Sequence, residues 1–162
     1  MKIIFAPRGI LQIDDAKLIF KNFAGVGDKF NKGDRNFSIR IDDEEIADAL
    51  IKEGWNVKIK PPREEGEAPR MHLPVKVKFT EFGPNLYLKS GKAVNKLTID
   101  TIACLDGMAI EYAELDIRPY DWEVNGKTGR TAYLQSGEIV QRMDRFAARY
   151  EGEGAEDDLP WD

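Results

Sequence analysis

MAIEYAELDIRPYDWE, residues 108–123, is the stretch that decides the fold. Apolar and polar residues alternate along it, which is the pattern of a half-buried β-strand, and it is longer than an ordinary strand. Asn125-Gly126 follows it, a dipeptide typical of two-residue hairpin turns. Residues 130–141 then supply a return strand, so the sequence predicts a long antiparallel hairpin.

The alternation within this long strand changes phase. Ile110 and Tyr112 share one face, whereas Leu115 and Ile117 have the opposite parity. One extra residue in a strand produces such a change and bends the strand at the same point. We therefore expect a bulge or a sharp bend near residues 113–114.

Shorter strands bounded by turn residues precede the hairpin. The loop PPREEGEAPR, residues 61–70, separates two of them. The predicted strands are two short ones around a turn at Asp14-Asp15, followed by residues 36–41, 55–60, 73–79 and 86–88.

Two short helices are also predicted. Asp42 is the expected N-cap of the first, because Glu45 stands at the capping-box spacing and Gly54 is a natural stop. Residues 98–105 form the second, which Gly107 closes.

These elements indicate a mainly β protein. Long strands that bend near a barrel corner favour a five-stranded OB-type barrel over an immunoglobulin sandwich. At 162 residues the chain has room for one domain of ordinary size. We expect an OB-fold-like domain over residues 1–150, with two short helical insertions, and a disordered acidic tail over residues 151–162.

The tail EGEGAEDDLPWD carries the net charge of the chain. The chain has 24 Lys and Arg against 29 Asp and Glu, and removing the six acidic residues of the tail leaves 24 against 23. Dense like charge predicts disorder. The tail either docks on a partner, with carboxylates that steer it and an indole that fills a pocket, or is a solubilising end that folds back on its own domain. The candidate docking residues are Asp157, Asp158, Leu159, Pro160, Trp161 and Asp162.

The apolar runs and the cysteine content indicate the cellular compartment in which the protein works. No apolar run approaches the roughly 18–20 residues of a membrane span, and the N-terminal apolar run is too short for a signal peptide. The single cysteine, Cys104, excludes an internal disulfide and is expected to be a small core residue. We expect a cytoplasmic protein with no membrane partner.

Aromatic and cationic residues are interleaved in IRPYDWEVNGKTGRTAY, residues 117–133. Aromatic faces stack on bases and neighbouring cations neutralise phosphates, so the hairpin is a candidate nucleic-acid surface. The alternative is that Tyr120 and Trp122 belong to the core and that the arginines line its rim. The candidate stacking residues are Tyr120, Trp122 and Tyr133, and the candidate phosphate contacts are Arg118, Lys127 and Arg130.

A second basic set lies on two predicted strands. Lys58, Lys60, Lys76 and Lys78 alternate outward, and if the strands pair they form one ladder, which is unfavourable unless an anion is near. Solvated lysines on an exposed sheet are the alternative. The loop around residues 25–35 repeats the mixture of cation and aromatic. Lys58, Lys60 and Arg35 therefore join the candidate phosphate contacts.

Catalytic patterns are lacking in the sequence. His72 is the single histidine, and no Ser or Cys stands at a recognisable motif spacing. GVGDKFNKG lacks the ending of a phosphate-binding loop. We expect a protein that is not an enzyme, with no catalytic residue, no metal and no cofactor.

Three segments, residues 36–58, residues 115–136 and the terminal DDLPWD, resemble the single-stranded-DNA-binding proteins encoded in replication modules of tailed phages that infect Firmicutes. The resemblance implies an OB-fold that coats single-stranded DNA during replication or recombination, and a tail that recruits replication enzymes. Bacterial tails of this kind end on phenylalanine, whereas here Asp162 follows Trp161. The tail therefore either recruits partners or competes with DNA for the protein's own basic groove.

The leading hypothesis is sequence-tolerant binding of single-stranded DNA, in the host cytoplasm if the chain is phage-encoded. Replication or recombination proteins are the expected partners of the tail. The rival is a protein-interaction module or host-factor inhibitor that acts through the tail. The sequence leaves the oligomeric state open, a dimer included.

Overall fold

The computed structural model of the protein describes residues 1–27, 33–144 and 146. The predicted tail, residues 151–162, lies outside the described residues. Short 3-10 helices occupy Pro7–Gly9 and Ile102–Gly107. The strands and the helix are β1 (Lys2–Phe5), β2 (Leu11–Asn22), β3 (Arg35–Ile41), α1 (Glu44–Lys52), β4 (Lys58–Lys60), β5 (Arg70–Val77), β6 (Asn85–Ser90), β7 (Ala93–Leu97), β8 (Ile110–Val124) and β9 (Lys127–Gln141).

Five of these strands close into a barrel. β2 pairs with β3, β3 with β5, β5 with β9, β9 with β8, and β8 returns to β2. The β5–β9 contact is parallel and the other four are antiparallel. The mainly β, OB-type barrel predicted from the sequence is therefore confirmed, and its buried apolar side chains form one core cluster.

β2 differs from its prediction. The sequence suggested two strands around a turn at Asp14-Asp15, but residues Leu11–Asn22 form one strand. Its register shifts between Ile13 and Ala16, and Asp15 has a left-handed backbone with φ of 55°. The polar pair therefore marks a bulge that bends a continuous strand around the barrel.

The β8–β9 hairpin is confirmed, together with its turn. Val124 pairs with Lys127, so Asn125 and Gly126 form a two-residue loop. Both have positive φ, 51° and 78°, as a type I′ turn requires.

β8 contains a bulge two residues before the predicted position near residues 113–114. Pairing is regular at residues 113–114, and the register shifts instead in two other places. β8 has one extra residue at Glu111, and β9 has one extra residue at Gln135.

The helix α1 is confirmed, with its N-cap one residue later than predicted. The Asp43 carboxylate, not that of Asp42, accepts a hydrogen bond of 2.8 Å from the Glu45 backbone N–H. Gly54 ends the helix in a left-handed conformation, and the Trp55 N–H reaches back to the Leu50 carbonyl. This C-terminal motif carries Trp55 into the core.

The structure differs from the sequence-based expectations at three points between β4 and β8. Of the β6–β7 hairpin, the sequence predicted only a strand at residues 86–88, which lies within β6. The predicted second helix is a 3-10 helix displaced to Ile102–Gly107. Cys104 is exposed and is not the core residue expected from its apolar neighbours. No helix in the described part of the chain is both long and apolar enough to cross a membrane.

Candidate nucleic-acid interface

One face of the β8–β9 hairpin gathers the predicted aromatic residues. Arg118 is paired with Tyr133, Tyr120 with Thr131, and Trp122 with Gly129. Directly paired residues project from the same face of a sheet, so the aromatic side chains and Arg118 share one surface. We call the surface formed by Arg118, Tyr120, Trp122, Lys127 and Tyr133 the hairpin face.

Contacts between its side chains order the hairpin face. The Tyr120 and Tyr133 rings meet edge to face with centroids 6.1 Å apart. The Arg118 guanidinium lies 4.7 Å from the Tyr133 ring centroid, within the range of a cation–π contact. Ordered rings and a fixed cation present a base-sized stacking surface with a positive charge beside it.

Two of the three rings of the hairpin face are exposed. Tyr120 is 54% and Trp122 is 38% accessible to solvent, and Tyr133 is half-buried. The alternative that Tyr120 and Trp122 belong to the core is therefore wrong. Exposed aromatic rings on a rigid strand lose little entropy when a ligand stacks on them.

Trp122 lies across the backbone of Gly129 on the neighbouring strand. A Cβ atom at position 129 would collide with Cζ2 and Cε2 of the indole. Position 129 therefore requires glycine, because the indole lies too close to the backbone for any side chain. The space that a side chain would fill is occupied by the Trp122 indole.

Arg130 lies on the opposite face of the hairpin. Its Nε donates to Asp121 Oδ1 at 2.6 Å and its Nη1 donates to the Glu53 carbonyl at 2.7 Å. The guanidinium also stands 5.3 Å from the Trp55 ring centroid. The hydrogen bond from Arg130 lowers the pKa of the Asp121 carboxyl and, reciprocally, raises the pKa of Arg130. Arg130 therefore ties the hairpin to the end of α1. It also lines a cleft of about 570 Å³ together with Trp122 of the hairpin face.

The surface continues from the hairpin onto β5 and β3. Tyr133 pairs with Lys76, which in turn pairs with Asn36 on β3. A cleft of about 320 Å³ beside this row is lined by Tyr133, Lys76, Lys78 and Arg35. The structure thus brings Arg35 into one cleft with Tyr133 of the hairpin face.

The Arg35 side chain has a buried donor, Nε, that is not paired among the described residues. Its guanidinium lies 5.8 Å from the Phe79 ring centroid, which holds the group in place. A buried donor left unpaired costs free energy, about 1–3 kcal/mol.

The predicted ladder of four lysines does not form. Lys58 pairs with His72 and Lys60 with Arg70, whereas Lys76 lies further along β5, beside β9. The short β4 pairs only with the first residues of β5, so the two lysine pairs are separated along that strand.

Lys58 and Lys60 instead belong to a second cluster, which lies on the same side of β5 as Lys76. We call it the Lys60 cluster, and it consists of Phe20, Lys58, Lys60 and His72. The exposed Phe20 ring meets the His72 imidazole edge to face at 5.3 Å, and the Lys60 ammonium lies 5.5 Å from the Phe20 ring centroid. Burial and then the charges of Lys60 and Lys58 lower the pKa of His72.

Sequence reasoning missed two exposed phenylalanines, Phe20 beside Lys60 and Phe82 in a cleft that Lys78 and Arg118 also line. Phe20 has a left-handed backbone, φ of 51°, which no local sequence signal indicates. Phe82, 85% exposed, stands in a tight turn that was read only as a connection. Lys29, Phe30, Lys32 and the tail residues Asp157–Asp162 lie outside the described residues.

An acidic cleft of about 430 Å³ lies on the same sheet, next to the strand segment that carries Arg118. It is lined by Tyr87 and by the carboxylates of Asp14, Glu114, Asp116 and Glu138. Glu114 and Glu138 are directly paired across β8 and β9. Charge is therefore segregated on the surface, although the domain itself is nearly neutral. Across the described ranges no group of three or more His, Cys, Asp or Glu could hold a metal ion.

An OB-type barrel that carries exposed aromatic rings between cations, on the sheet face next to its hairpin loop, has the architecture of the nucleic-acid-binding OB proteins. The chain belongs to the family described as "Putative phage ssDNA-binding domain", whose model matches residues 2–158. A search of curated proteins finds no match.

Solved structures from bacteriophage Enc34 share the fold. Its C-terminally truncated single-stranded DNA-binding protein gives a TM-score of 0.54 at 14% identity, covering 88% of this chain and 91% of that chain. The same phage's protein in complex with ssDNA gives 0.52 at 15% identity, covering 88% and 90%. A third Enc34 structure gives 0.50 at 15% identity and covers both chains fully.

Proposed function

We propose that this protein binds single-stranded DNA without strong sequence preference, along the hairpin face and the adjoining outer side of β5 and β3. The observation that carries the proposal is the contact group of the exposed Tyr120 with the half-buried Tyr133 and Arg118, in which the two rings meet edge to face and the guanidinium lies over the Tyr133 ring. Every base has a π-face, so a stacking surface is tolerant of sequence. Membership of the phage family and the fold shared with an ssDNA-bound protein support this function.

Tyr120, Trp122 and Tyr133 are the proposed stacking residues. They stand on one face of two paired strands, so successive bases of an extended strand can meet successive rings. Stacking contributes about 1–3 kcal/mol per base.

The proposed phosphate contacts divide into two groups. Arg118, Lys127 and Arg35 surround the aromatic rings, and Lys127 is exposed at the hairpin tip on the same face as Trp122. Lys58 and Lys60 extend the positive surface along β5 through the Lys60 cluster. We do not include Arg130 among the proposed phosphate contacts, because its guanidinium donates hydrogen bonds to Asp121 and to the Glu53 carbonyl.

The biological setting follows from the same proposal. The protein coats single-stranded intermediates of phage replication or recombination in the host cytoplasm, with residues 1–150 as the binding domain. Residues 151–162, with the apolar and acidic group Asp157–Asp162, recruit a replication or recombination protein or lie on the basic surface when DNA is absent. The acidic composition of that segment supports both roles.

Fluorescence anisotropy of a labelled oligo(dT) tests the function. Each phosphate contact on a single strand contributes a salt slope of about −0.7, so four to seven contacts predict an affinity loss of about 50- to 900-fold between 50 and 200 mM salt. Removing residues 151–162 is expected to keep or increase the affinity. No binding by either form at micromolar protein overturns the proposal and favours the rival interaction module led by the tail.

A further inference from the structure

β9 changes its neighbour in the middle of its length, and the change opens a cleft. Tyr133 is paired with Lys76 of β5, whereas Ser136 is paired with Asn85 of β6. Between these pairs the chain from β5 to β6 leaves the sheet. The result is a cleft of about 380 Å³ that adjoins the hairpin face, which we call the Phe82 cleft.

Phe82 stands at the mouth of this cleft on a tight turn. The Thr80 N–H donates to the Gly83 carbonyl at 2.7 Å, and the Gly83 N–H donates back to the Thr80 carbonyl at 3.2 Å. The Phe82 N–H donates to the Thr80 hydroxyl at 3.2 Å. The turn is therefore held by its own hydrogen bonds, and it presents a largely solvated ring without needing that ring for the core.

Cations connect the cleft to the hairpin face. Arg118 lines the cleft while its guanidinium lies over the Tyr133 ring. Lys78 lines both this cleft and the neighbouring one that holds Arg35 and Tyr133. A strand that stacks on Tyr120 and Tyr133 can thus enter the cleft without leaving positively charged surface.

Two amide side chains line the cleft beside the hydroxyl residues Thr80 and Ser136, and the Ser136 hydroxyl donates to Asp116 Oδ2 at 3.2 Å. Asn85 and Gln135 both line the cleft and are exposed. Each amide group carries a donor and an acceptor, so it can hydrogen-bond to the edge of any base. Gln135 is the extra residue of the β9 bulge, and such bulges re-aim side chains next to functional sites.

We propose that the Phe82 cleft is a nucleotide subsite at one end of the single-strand path, in which a base stacks on Phe82 and its phosphate lies between Lys78 and Arg118. The proposal rests on the proposed function and extends it beyond the hairpin face. Asn85 and Gln135 hydrogen-bond to the base edge. When one nucleotide is held in this cleft, apart from the bases that stack on Tyr120 and Tyr133, the bound strand ends at a defined position.

The acidic cleft explains why the path ends there. Asn85 and Ser136 line both clefts, and beyond them stand the carboxylates of Asp14, Glu114 and Glu138. A phosphate placed among these carboxylates is repelled, so the strand turns into the Phe82 cleft and stops.

Binding of oligo(dT) of graded length, about 4 to 16 nucleotides, to the full chain tests the subsite. Phe82→Ala is expected to weaken binding of the longer oligonucleotides on the order of tenfold and to leave the shortest unchanged. Phe82→Trp is expected to restore affinity. Tyr87→Ala is the matched control, because Tyr87 is an exposed aromatic residue in the acidic cleft, and it is expected to bind like the wild type.

A single abasic site moved along the longest oligonucleotide sharpens the test. One position is expected to weaken the wild type but not Phe82→Ala, since that variant has already lost the stacking partner. If wild type binds DNA and Phe82→Ala matches it at every length and position, the subsite is wrong while the proposed function stands. If wild type does not bind at all, both are overturned.

Discussion

Substitutions of Arg118 and Arg130 separate effects on DNA binding from effects on the stability of the fold. Both lie in the hairpin and both are positively charged, but they project from opposite faces. Arg118→Gln removes one cation from the hairpin face. The salt slope is expected to become shallower by about 0.7 and the affinity to fall about fivefold near 0.1 M salt.

Arg130→Gln is expected to act on the folded state instead. It loses a partly exposed ion pair with Asp121, about 0.2–1 kcal/mol, and a hydrogen bond to the Glu53 carbonyl, about 1 kcal/mol. It also loses the contact with the Trp55 ring, about 0.5–1 kcal/mol. The midpoint of thermal unfolding should drop by about 3–10 °C.

The assay is the same anisotropy titration for both variants, at three or more salt concentrations, with a thermal melt of each. The expected pattern is unequal: Arg118→Gln changes the salt slope and lowers the melting midpoint only through the lost contact with the Tyr133 ring, about 0.5–1 kcal/mol. Arg130→Gln lowers the melting midpoint further, with little change in the slope. Equal losses of salt slope in both variants refute the assignment of faces.

The exposed rings and the buried histidine give further expectations. Tyr120→Ala and Trp122→Ala are each expected to weaken oligo(dT) binding by about 5- to 150-fold, with melting midpoints close to wild type. Gly129→Val must displace the Trp122 indole, so it should weaken binding about as much as Trp122→Ala; unchanged affinity counts against a role for this ring. The pKa of His72 is lowered below 6.5 in the fold, so the unfolded chain takes up its proton first as the pH falls. The free energy of unfolding should therefore decline as the pH falls through 6.5, and a urea series should show that His72→Asn lacks this decline.

Local patterns were sufficient for the elements that form the interface. Alternation and the Asn125-Gly126 turn predicted β8 and β9, and the register of a two-residue loop then fixes which residues face one another. The opposite placement of Arg130 follows from that register: the pairing of Val124 with Lys127 puts Arg130 opposite Asp121. This part of the site was therefore within reach of the sequence.

Other parts of the site depend on contacts between distant segments. Tyr133 lies beside Lys76 only because β5 and β9 pair in parallel, and no local signal specifies that pairing. Phe82 lies near Arg118 because β9 exchanges β5 for β6 as its neighbour. The position of Phe20 over His72 depends on a left-handed backbone at a non-glycine residue, which follows from tertiary packing.

Photo-crosslinking of an oligonucleotide that carries 5-iodo-deoxyuridine, followed by mass spectrometry of the peptides, tests most directly where the strand lies. We expect crosslinks to Tyr120, Trp122 and Tyr133, and we expect these crosslinks to disappear at high salt. Crosslinks concentrated on Tyr87 and the acidic cleft, with none on the hairpin face, contradict it.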